Sequence, residues 1–413
     1  MTLPNLFCPI KLGTIEIPNR TVMAPMGTHI YSADGTWTKR EIRYFEERAK
    51  GEIGLIITSF VRVHGKLASF PLHGIYHDRF IPSHRELVDR IHAYDSKIFL
   101  QIALSGGKRS SDAPSSIYSP NYMVKPRALT TDELDELVES FITATGRAIE
   151  AGYDGVELHG AHSYLVGQMM SPSLNKRTDK YGGSFETRMK FPADILRGIR
   201  DTYPGYPVGF KFSAHEELPG GVDINLAKEI AAYINNLGVV YLHVASTAST
   251  INVYSRYPSV PAMYIPRNTL IPLAAEIKKV AGDTPVMATG SITVPEEAEQ
   301  FITDGLCDMV ALGRTTFADP HWARKAREGK RMVPCIRCNV CYHRPDTMCC
   351  SVNPYLLKEA EQELPKPSKK KRIMIVGAGP AGIRCALTAS KRGHDVTLYE
   401  KQPYIGGMTY PGS

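Results

Sequence analysis

Short apolar runs rich in Val and Ile alternate along this chain with longer stretches of helical periodicity. The runs fall at residues 21–26, 54–60, 97–104, 155–159, 208–213, 241–246, 285–290 and 309–313, and each has the length and composition of a buried strand. Between them lie segments long enough for a helix. Residues 132–151 are the clearest, with Thr131 placed as the N-terminal cap and Gly152 as the stop. Eight alternating units predict an α/β fold in which the strands close into a parallel TIM (β/α)8 barrel rather than an open sheet. The stretch between the third and fourth strands carries Pro114, Pro120 and Pro126 and reads as a loop over the barrel's active face. After the barrel, residues 1–330, the pattern changes to a cysteine-bearing arm at 331–357 and a polar linker at 358–371.

A further strand at 372–376 runs into Gly377-Ala378-Gly379-Pro380-Ala381-Gly382 and a helix, and a second strand, 395–399, precedes Glu400. Strand, glycine turn, helix and an acidic residue about 20 positions on form a dinucleotide fingerprint. Gly377, Gly379 and Gly382 would let the backbone approach a pyrophosphate, and Glu400 would bind a ribose hydroxyl. One βαβ start cannot bury its own apolar faces. Residues 372–413 therefore read as the incomplete start of a Rossmann-like nucleotide-binding domain, and the chain as the front part of a longer protein.

Composition narrows the function classes. The chain has 413 residues, 43% of them hydrophobic, and a formal net charge of +7, which is ordinary for a globular protein. The dense basic run at 366–372 reads as solvated linker, and no basic helix interleaved with aromatics supports nucleic-acid binding. No charged leader with an apolar stretch opens the chain, and no apolar run approaches about 18 residues, so neither a signal peptide nor a membrane span is expected. A cytoplasmic location follows as an expectation, in keeping with cysteines bunched in one motif rather than spaced for disulfides. The pattern leaves open whether the chain forms a homo-oligomer.

That motif is Cys335, Cys338 and Cys341 at C-x2-C-x2-C spacing, with Cys350 after eight further intervening residues. Such thiolates can converge on one soft centre, either a 4Fe-4S cluster or a closed tetrahedral zinc. The nucleotide fingerprint that follows favours the cluster, and hence an electron relay. Cys349 competes with Cys350 for the fourth place. Cys8, Cys307 and Cys385 read as ordinary buried thiols.

Reactive groups of such a barrel come from the carboxyl ends of its strands. His159, His162 and Tyr164 stand just there after the fourth strand, where two imidazoles can hold a carbonyl oxygen or oxyanion and a phenol can deliver a proton. The other histidines, His243 in the sixth strand included, read as structural. Lys211, near the end of the fifth strand, would face an anion such as a reduced flavin, or pair with Glu157 or Glu216. Gly290 and Ser291 after the seventh strand, with Gly313 and Arg314 after the eighth, sit where such barrels bind phosphate. Gln101 either pairs with a flavin-like edge or is a buried structural amide. The run Pro25, Met26, Gly27 and Thr28 closes the first strand with space for a flat ring.

The segment His159-Gly160-Ala161-His162-Ser163-Tyr164-Leu165, followed by Asn175 to Gly183, resembles the signature of the old yellow enzyme family. The cysteine arm and glycine fingerprint narrow the resemblance to its iron-sulfur flavoenzyme branch, which includes 2,4-dienoyl-CoA reductase, bile-acid dehydroxylation reductases and trimethylamine dehydrogenase. This resemblance implies FMN in the barrel, a 4Fe-4S cluster on the arm, and FAD and NAD(P)H sites in a full-length form. It places Pro25, Met26, Gln101, Lys211, Gly290, Gly313 and Arg314 on FMN, His159 and His162 on a substrate carbonyl, and Tyr164 as proton donor. The implied reaction is reduction of the C=C bond of an α,β-unsaturated carbonyl compound with electrons from NAD(P)H. Gly27 replaces the flavin-linking cysteine of trimethylamine dehydrogenase, and His159 replaces its tyrosine, both against a covalent flavin and an amine substrate. Amine oxidation, and a zinc-stapled barrel binding a phosphorylated ligand without redox work, are the alternatives.

Overall fold

A computed structural model describes residues 3–65, 73–106, 111–117, 125–247, 255–343 and 348–409. Pro120 and the last residues of the nucleotide-binding segment, 410–413, lie outside them. Residues Met1–Leu357 form one compact unit and Lys358–Ser413 another.

The first unit is a closed barrel. Its strands are β1 (Thr21–Met23), β2 (Leu55–Ile57), β3 (Lys97–Ala103), β4 (Gly155–Gly160), β5 (Val208–Ser213), β6 (Tyr241–Ala245), β7 (Val286–Ala288) and β8 (Met309–Leu312). Each pairs in parallel with its neighbours, and the β8–β1 and β2–β3 pairings complete the ring. The helices are α1 (Lys39–Lys50), α2 (Ile81–His92), α3 (Thr131–Ala151), α4 (Phe185–Thr202), α5 (Ile224–Asn235), α6 (Ile271–Lys278), α7 (Pro295–Thr303) and α8 (Trp322–Arg327). Several predicted strands run two or three residues longer than the ladders, because the ends of β1, β2 and β7 turn into the mouth loops.

Helix α3 shows why the outer layer forms. Leu134, Leu137, Val138, Phe141, Ala144 and Ala148 recur every three or four residues and are buried. Its cap is Thr130, not Thr131: the Thr130 hydroxyl accepts from the Glu133 amide while the Glu133 carboxylate accepts from the Thr130 amide. This reciprocal box is worth about 1 kcal/mol, and Gly152 at φ 93° ends the helix.

Inside the ring, large and small residues alternate across neighbouring strands. A Cβ on Gly155 would lie 2.4 Å from the Phe99 ring, and one on Gly209 would lie 2.1 Å from the Tyr241 ring. An antiparallel hairpin, Ile10–Leu12 with Ile15–Ile17, inserts Leu12 and Ile17 among these interior residues, and its Gly13 abuts Val240 just ahead of β6. It closes the end where the strands begin, leaving the carboxyl ends as the mouth. The predicted loop after β3 contains a short parallel pairing, Asp112–Ala113 with Arg127–Ala128.

In the second unit β9 (Arg372–Val376) and β10 (Asp395–Tyr399) pair in parallel around α9 (Pro380–Lys391). Gly377 has φ 97°, and a Cβ on Gly382 would lie 1.8 Å from the Gly377 carbonyl oxygen, so this turn requires glycine at both places. The Glu400 carboxylate accepts from the Ala378 amide at 2.7 Å and from the Gln402 amide at 3.0 Å. Met374, Val376 and Tyr399 are exposed. The linker is not wholly irregular, since Glu359–Gln362 forms a 3-10 turn.

Candidate active site

The carboxyl end of β4 turns sharply. His162 and Ser163 both take left-handed backbone conformations, with φ 57° and 56°, a conformation costing about 1–2 kcal/mol per non-glycine residue. The turn is held from outside: the His162 amide donates to the hydroxyls of Ser213 (3.2 Å) and Thr247 (3.1 Å), at the ends of β5 and β6. Gln168 donates to the Ser163 carbonyl at 2.6 Å from the short helix Leu165–Met170. Through this turn the His162 ring comes back to 5.2 Å from that of His159, and the Tyr164 ring lies 4.8 Å from His159. Phe60, just beyond β2, completes the cluster at 4.9 Å from Tyr164. Its sequence signal was only its place at a strand end.

Beneath the mouth lies a buried polar network on adjacent strands. Glu157 on β4, fully buried, accepts from Gln101 Nε2 at 2.6 Å, Tyr241 Oη at 3.0 Å and His243 Nδ1 at 2.8 Å. Burial pushes the Glu157 carboxyl up, but His243, Lys211 and Gln101 outweigh it and hold the carboxyl below its ordinary range. Gln101 thus spends one amide hydrogen on Glu157. Lys211 is in register with His159 on β4 and His243 on β6. It is 5% exposed, and burial pushes its ammonium down to about 8 against the pull of Glu157. Neither acidic residue forms an ion pair with it: Glu157 is used as above, and Glu216 accepts from Ser171 Oγ and the Val222 amide. A buried cation without a hydrogen-bonding partner among the described residues fits an anionic or electron-rich group in the mouth, as the flavin pyrimidine is.

The other mouth loops meet in pairs. A Cβ on Gly313 would lie 3.1 Å from Met26 Sδ, so the ends of β1 and β8 adjoin. Ser59 Oγ donates to the Met26 carbonyl at 2.5 Å, while the Thr28 hydroxyl donates to Glu41, a use that sequence spacing did not reveal. Pro25 and Gly27 are half-buried beside Met26. Gly290 (φ 119°) and Ser291 (φ 63°) form a strained turn, and Arg314 Nη2 donates to Ser291 Oγ at 2.7 Å. These loops, with the Arg314 guanidinium between them, fit a phosphate.

Arg314 has a second task. Its Nη1 donates to Asn339 Oδ1, and it lines, with Cys335, Cys338, Cys341 and Cys350, a cavity of about 280 Å³ including its open mouth. Cys349 does not line it. Burial pushes the Cys335, Cys341 and Cys350 thiols up, Cys341 to about 12, with Arg314 pulling Cys335 and Cys341 back. At Cys338 burial is outweighed by hydrogen bonds from Ser351 and backbone amides, and the thiol is lowered. Among the described residues no three His, Cys, Asp or Glu side chains converge tightly enough for one metal ion. A zinc site would draw its sulfurs to about 2.3 Å from a single point. Four thiols lining one cavity also suit a polynuclear centre whose metals each take one thiolate. Of the remaining cysteines only Cys307 is buried; Cys8 and Cys385 are exposed, contrary to the sequence expectation, because their stretches lie at the surface.

Residues 5–332 match the model of the NADH:flavin oxidoreductase / NADH oxidase family, and residues 375–413 match an NAD(P)-binding Rossmann-like domain. The chain is 40% identical to a NADH oxidase of Thermoanaerobacter brockii, over 98% of this chain and 64% of that protein. It is 36% identical to a cinnamate reductase of Clostridium sporogenes, over 98% of this chain and 66% of that protein. A solved 2-naphthoyl-CoA reductase complex superposes with a TM-score of 0.91 at 28% identity, covering 100% of this chain and 66% of that one. The chain thus spans just under two thirds of these two curated relatives. It belongs to the NADH:flavin oxidoreductase / NADH oxidase family.

Proposed function

We propose that this chain carries the substrate-reducing site of an NAD(P)H-dependent flavin oxidoreductase that saturates the C=C bond of an α,β-unsaturated carbonyl compound. The observation that carries the reading is the convergence of His159, His162 and Tyr164 at the end of β4, with the buried Lys211 in register beside His159. FMN would rest on Pro25, Met26, Gly27, Gln101 and Lys211, its phosphate on Gly290, Ser291, Gly313 and Arg314; when bound it supplies the electron pair that saturates the double bond.

His159 and His162 donate to the substrate's carbonyl oxygen, where negative charge grows most in the transition state. Tyr164 Oη delivers the proton to the α carbon. Phe60, whose ring lies against those of Tyr164 and His159, would limit the access of water to them. The left-handed turn at His162 is what lets two residues three apart serve one oxygen, because an extended strand would place them on opposite faces. Cys335, Cys338, Cys341 and Cys350 would hold a 4Fe-4S cluster, which supplies one-electron transfer, with electrons arriving from FAD and NAD(P)H in a full-length form. Cys350→Ser should then lose iron while Cys349→Ser keeps it, as iron analysis of anaerobic protein would read.

The discriminating experiment uses protein purified anaerobically with FMN. Reduced protein mixed with cinnamate or a similar enoate should regain its oxidised absorbance. Bleaching of the oxidised protein by secondary or tertiary amines, with no response to enoates, would instead assign amine oxidation.

A further inference from the structure

The segment Asn175 to Gly183 contributes no side chain to the histidine–tyrosine cluster, yet it holds the short helix that begins at Tyr164. That helix, Leu165–Met170, has six residues, all buried, with Tyr164 at its N-cap. So short a helix does not persist on its own hydrogen bonds, and its surroundings must fix it. The Leu165 amide donates to the Leu104 carbonyl, just past β3, at 3.0 Å. A Cβ on Gly167 would lie 2.8 Å from the Gly160 carbonyl oxygen, so the helix rests directly on the end of β4. At the far end the Met169 carbonyl, an orphan acceptor of the helix terminus, accepts from Asn175 Nδ2 at 2.7 Å. Arg188 on α4 adds a longer bond, 3.3 Å, to the Met170 carbonyl. Asn175 is 3% exposed and its amide is committed: Nδ2 also donates to the Tyr181 carbonyl at 2.7 Å, and Oδ1 accepts from the Arg177 amide at 3.1 Å. The turn behind it closes only around glycine, since a Cβ on Gly182 would lie 2.4 Å from Arg177 Cβ and 2.5 Å from the Arg177 carbonyl oxygen. Arg177 ties this turn to the loop after β3, donating to the carbonyls of Pro114 at 2.9 Å and Leu129 at 2.5 Å while pairing with Asp179.

We infer that Asn175 and Arg177 are positioning residues for proton delivery: the turn they build anchors the helix that Tyr164 begins, and so fixes where the phenol Oη can reach. This rests on the reading that Tyr164 protonates the α carbon in the proposed reduction. In that step the Oη–H bond breaks, the carbanion's electron pair forms the new C–H bond, and water returns a proton to the phenol. The histidines have supports of their own, because His159 stands on β4 and the His162 amide is held by Ser213 and Thr247. The turn therefore governs the protonation and not the delivery of the electron pair.

The test separates those two steps. Reduced, FMN-loaded protein is mixed anaerobically with a nitroalkene, whose saturation passes through a nitronate, an anion stable enough to be seen by its own absorbance. Return of the oxidised flavin absorbance reads the electron-pair step, and decay of the nitronate reads the protonation. Asn175→Ala should slow nitronate decay by about tenfold to a hundredfold, as a displacement of about 1 Å does, while flavin reoxidation stays near the wild-type rate. Unchanged decay overturns the inference. Equal slowing of both steps also overturns it, because the turn would then support the whole mouth rather than the phenol. Should circular dichroism show Asn175→Ala unfolded, Arg177→Lys serves instead, since it keeps the charge but loses the planar fork that meets Asp179 and two carbonyls. Its decay should slow by a smaller factor, and a wild-type rate counts against the proposal in the same way. Wild-type protein that saturates neither a nitroalkene nor an enoate overturns the reductase reading itself, and the inference with it.

Discussion

The barrel interior and the cysteine arm assemble polar groups by opposite means. Gln101, Glu157, Lys211 and His243 come from four adjacent strands, and the parallel ladder alone brings them together. The cysteines come from a stretch whose only regular element among the described residues is Val340–His343. Their places depend on two left-handed residues, Arg337 (φ 56°) and Asn339 (φ 60°), and on bonds from those residues to the barrel unit. Arg337 Nη1 donates to the Ile265 carbonyl at 2.7 Å, and Asn339 takes Arg314 and donates to the Val260 carbonyl at 3.2 Å. A ladder spreads the work of positioning over many backbone bonds, so one lost side chain leaves the others in place. The arm concentrates it in a few side chains, and each should matter to the whole arm.

The comparison breaks most visibly at the mouth. Replacing His159 and His162 together by Ala should cut turnover with an enoate by at least about a thousandfold, since a single donor to a developing oxyanion is worth about 10²–10³. Flavin absorbance should persist, because the proposed flavin contacts stand on other strands. A variant that turns over normally, measured by anaerobic stopped flow, removes both imidazoles from the mechanism.

Next in size is the strand-borne cation. With its ammonium at about 8 rather than 10.5, Lys211 destabilises the flavin-free fold. Its folded pKa is depressed, so the unfolded chain binds more protons between the two values and stability rises with pH across that window. Lys211→Met should therefore be more stable than wild type at pH 7, by on the order of 3 kcal/mol. The gap should close as pH rises from about 8 through 10.5, in urea melts of flavin-free protein. A gap independent of pH would mean that the ammonium is solvated and no such strain exists.

How much of this was legible follows the same division. The barrel was readable because buried strands are continuous apolar runs, and the runs at 208–213, 372–376 and 395–399 match their strands residue for residue. The hairpin at Ile10–Leu12 was not, since three-residue strands carry no period. Spacing exposed His159, His162, Tyr164 and the cysteines, because their chemistry is unusual for the surrounding pattern. It did not expose His243 or Phe60, whose significance lies in neighbours distant along the chain. Nor could it show that Thr28 is committed to Glu41, or that Arg314 serves the cysteine cavity as well as the phosphate loops. Such pairings depend on register between strands and on turns in left-handed backbone, neither of which a linear pattern encodes.

The smallest effect separates the two ways in which Asn339 holds the arm. Its side chain bonds a buried guanidinium, a charge-assisted contact worth about 1.5–3 kcal/mol, and its backbone occupies a conformation that asparagine tolerates better than most residues. Asn339→Gly removes the first and relieves the second; Asn339→Ala removes the first and worsens the second. Both variants should release the iron of the proposed cluster faster than wild type under a chelator, and Ala faster than Gly by the factor that about 1 kcal/mol of left-handed strain supplies, roughly fivefold. Equal rates for the two would show that the side-chain bond alone fastens the arm. Rates matching wild type in both would show that the arm, like the strands, is held by a distributed set of contacts, and the contrast between the two regions would not stand.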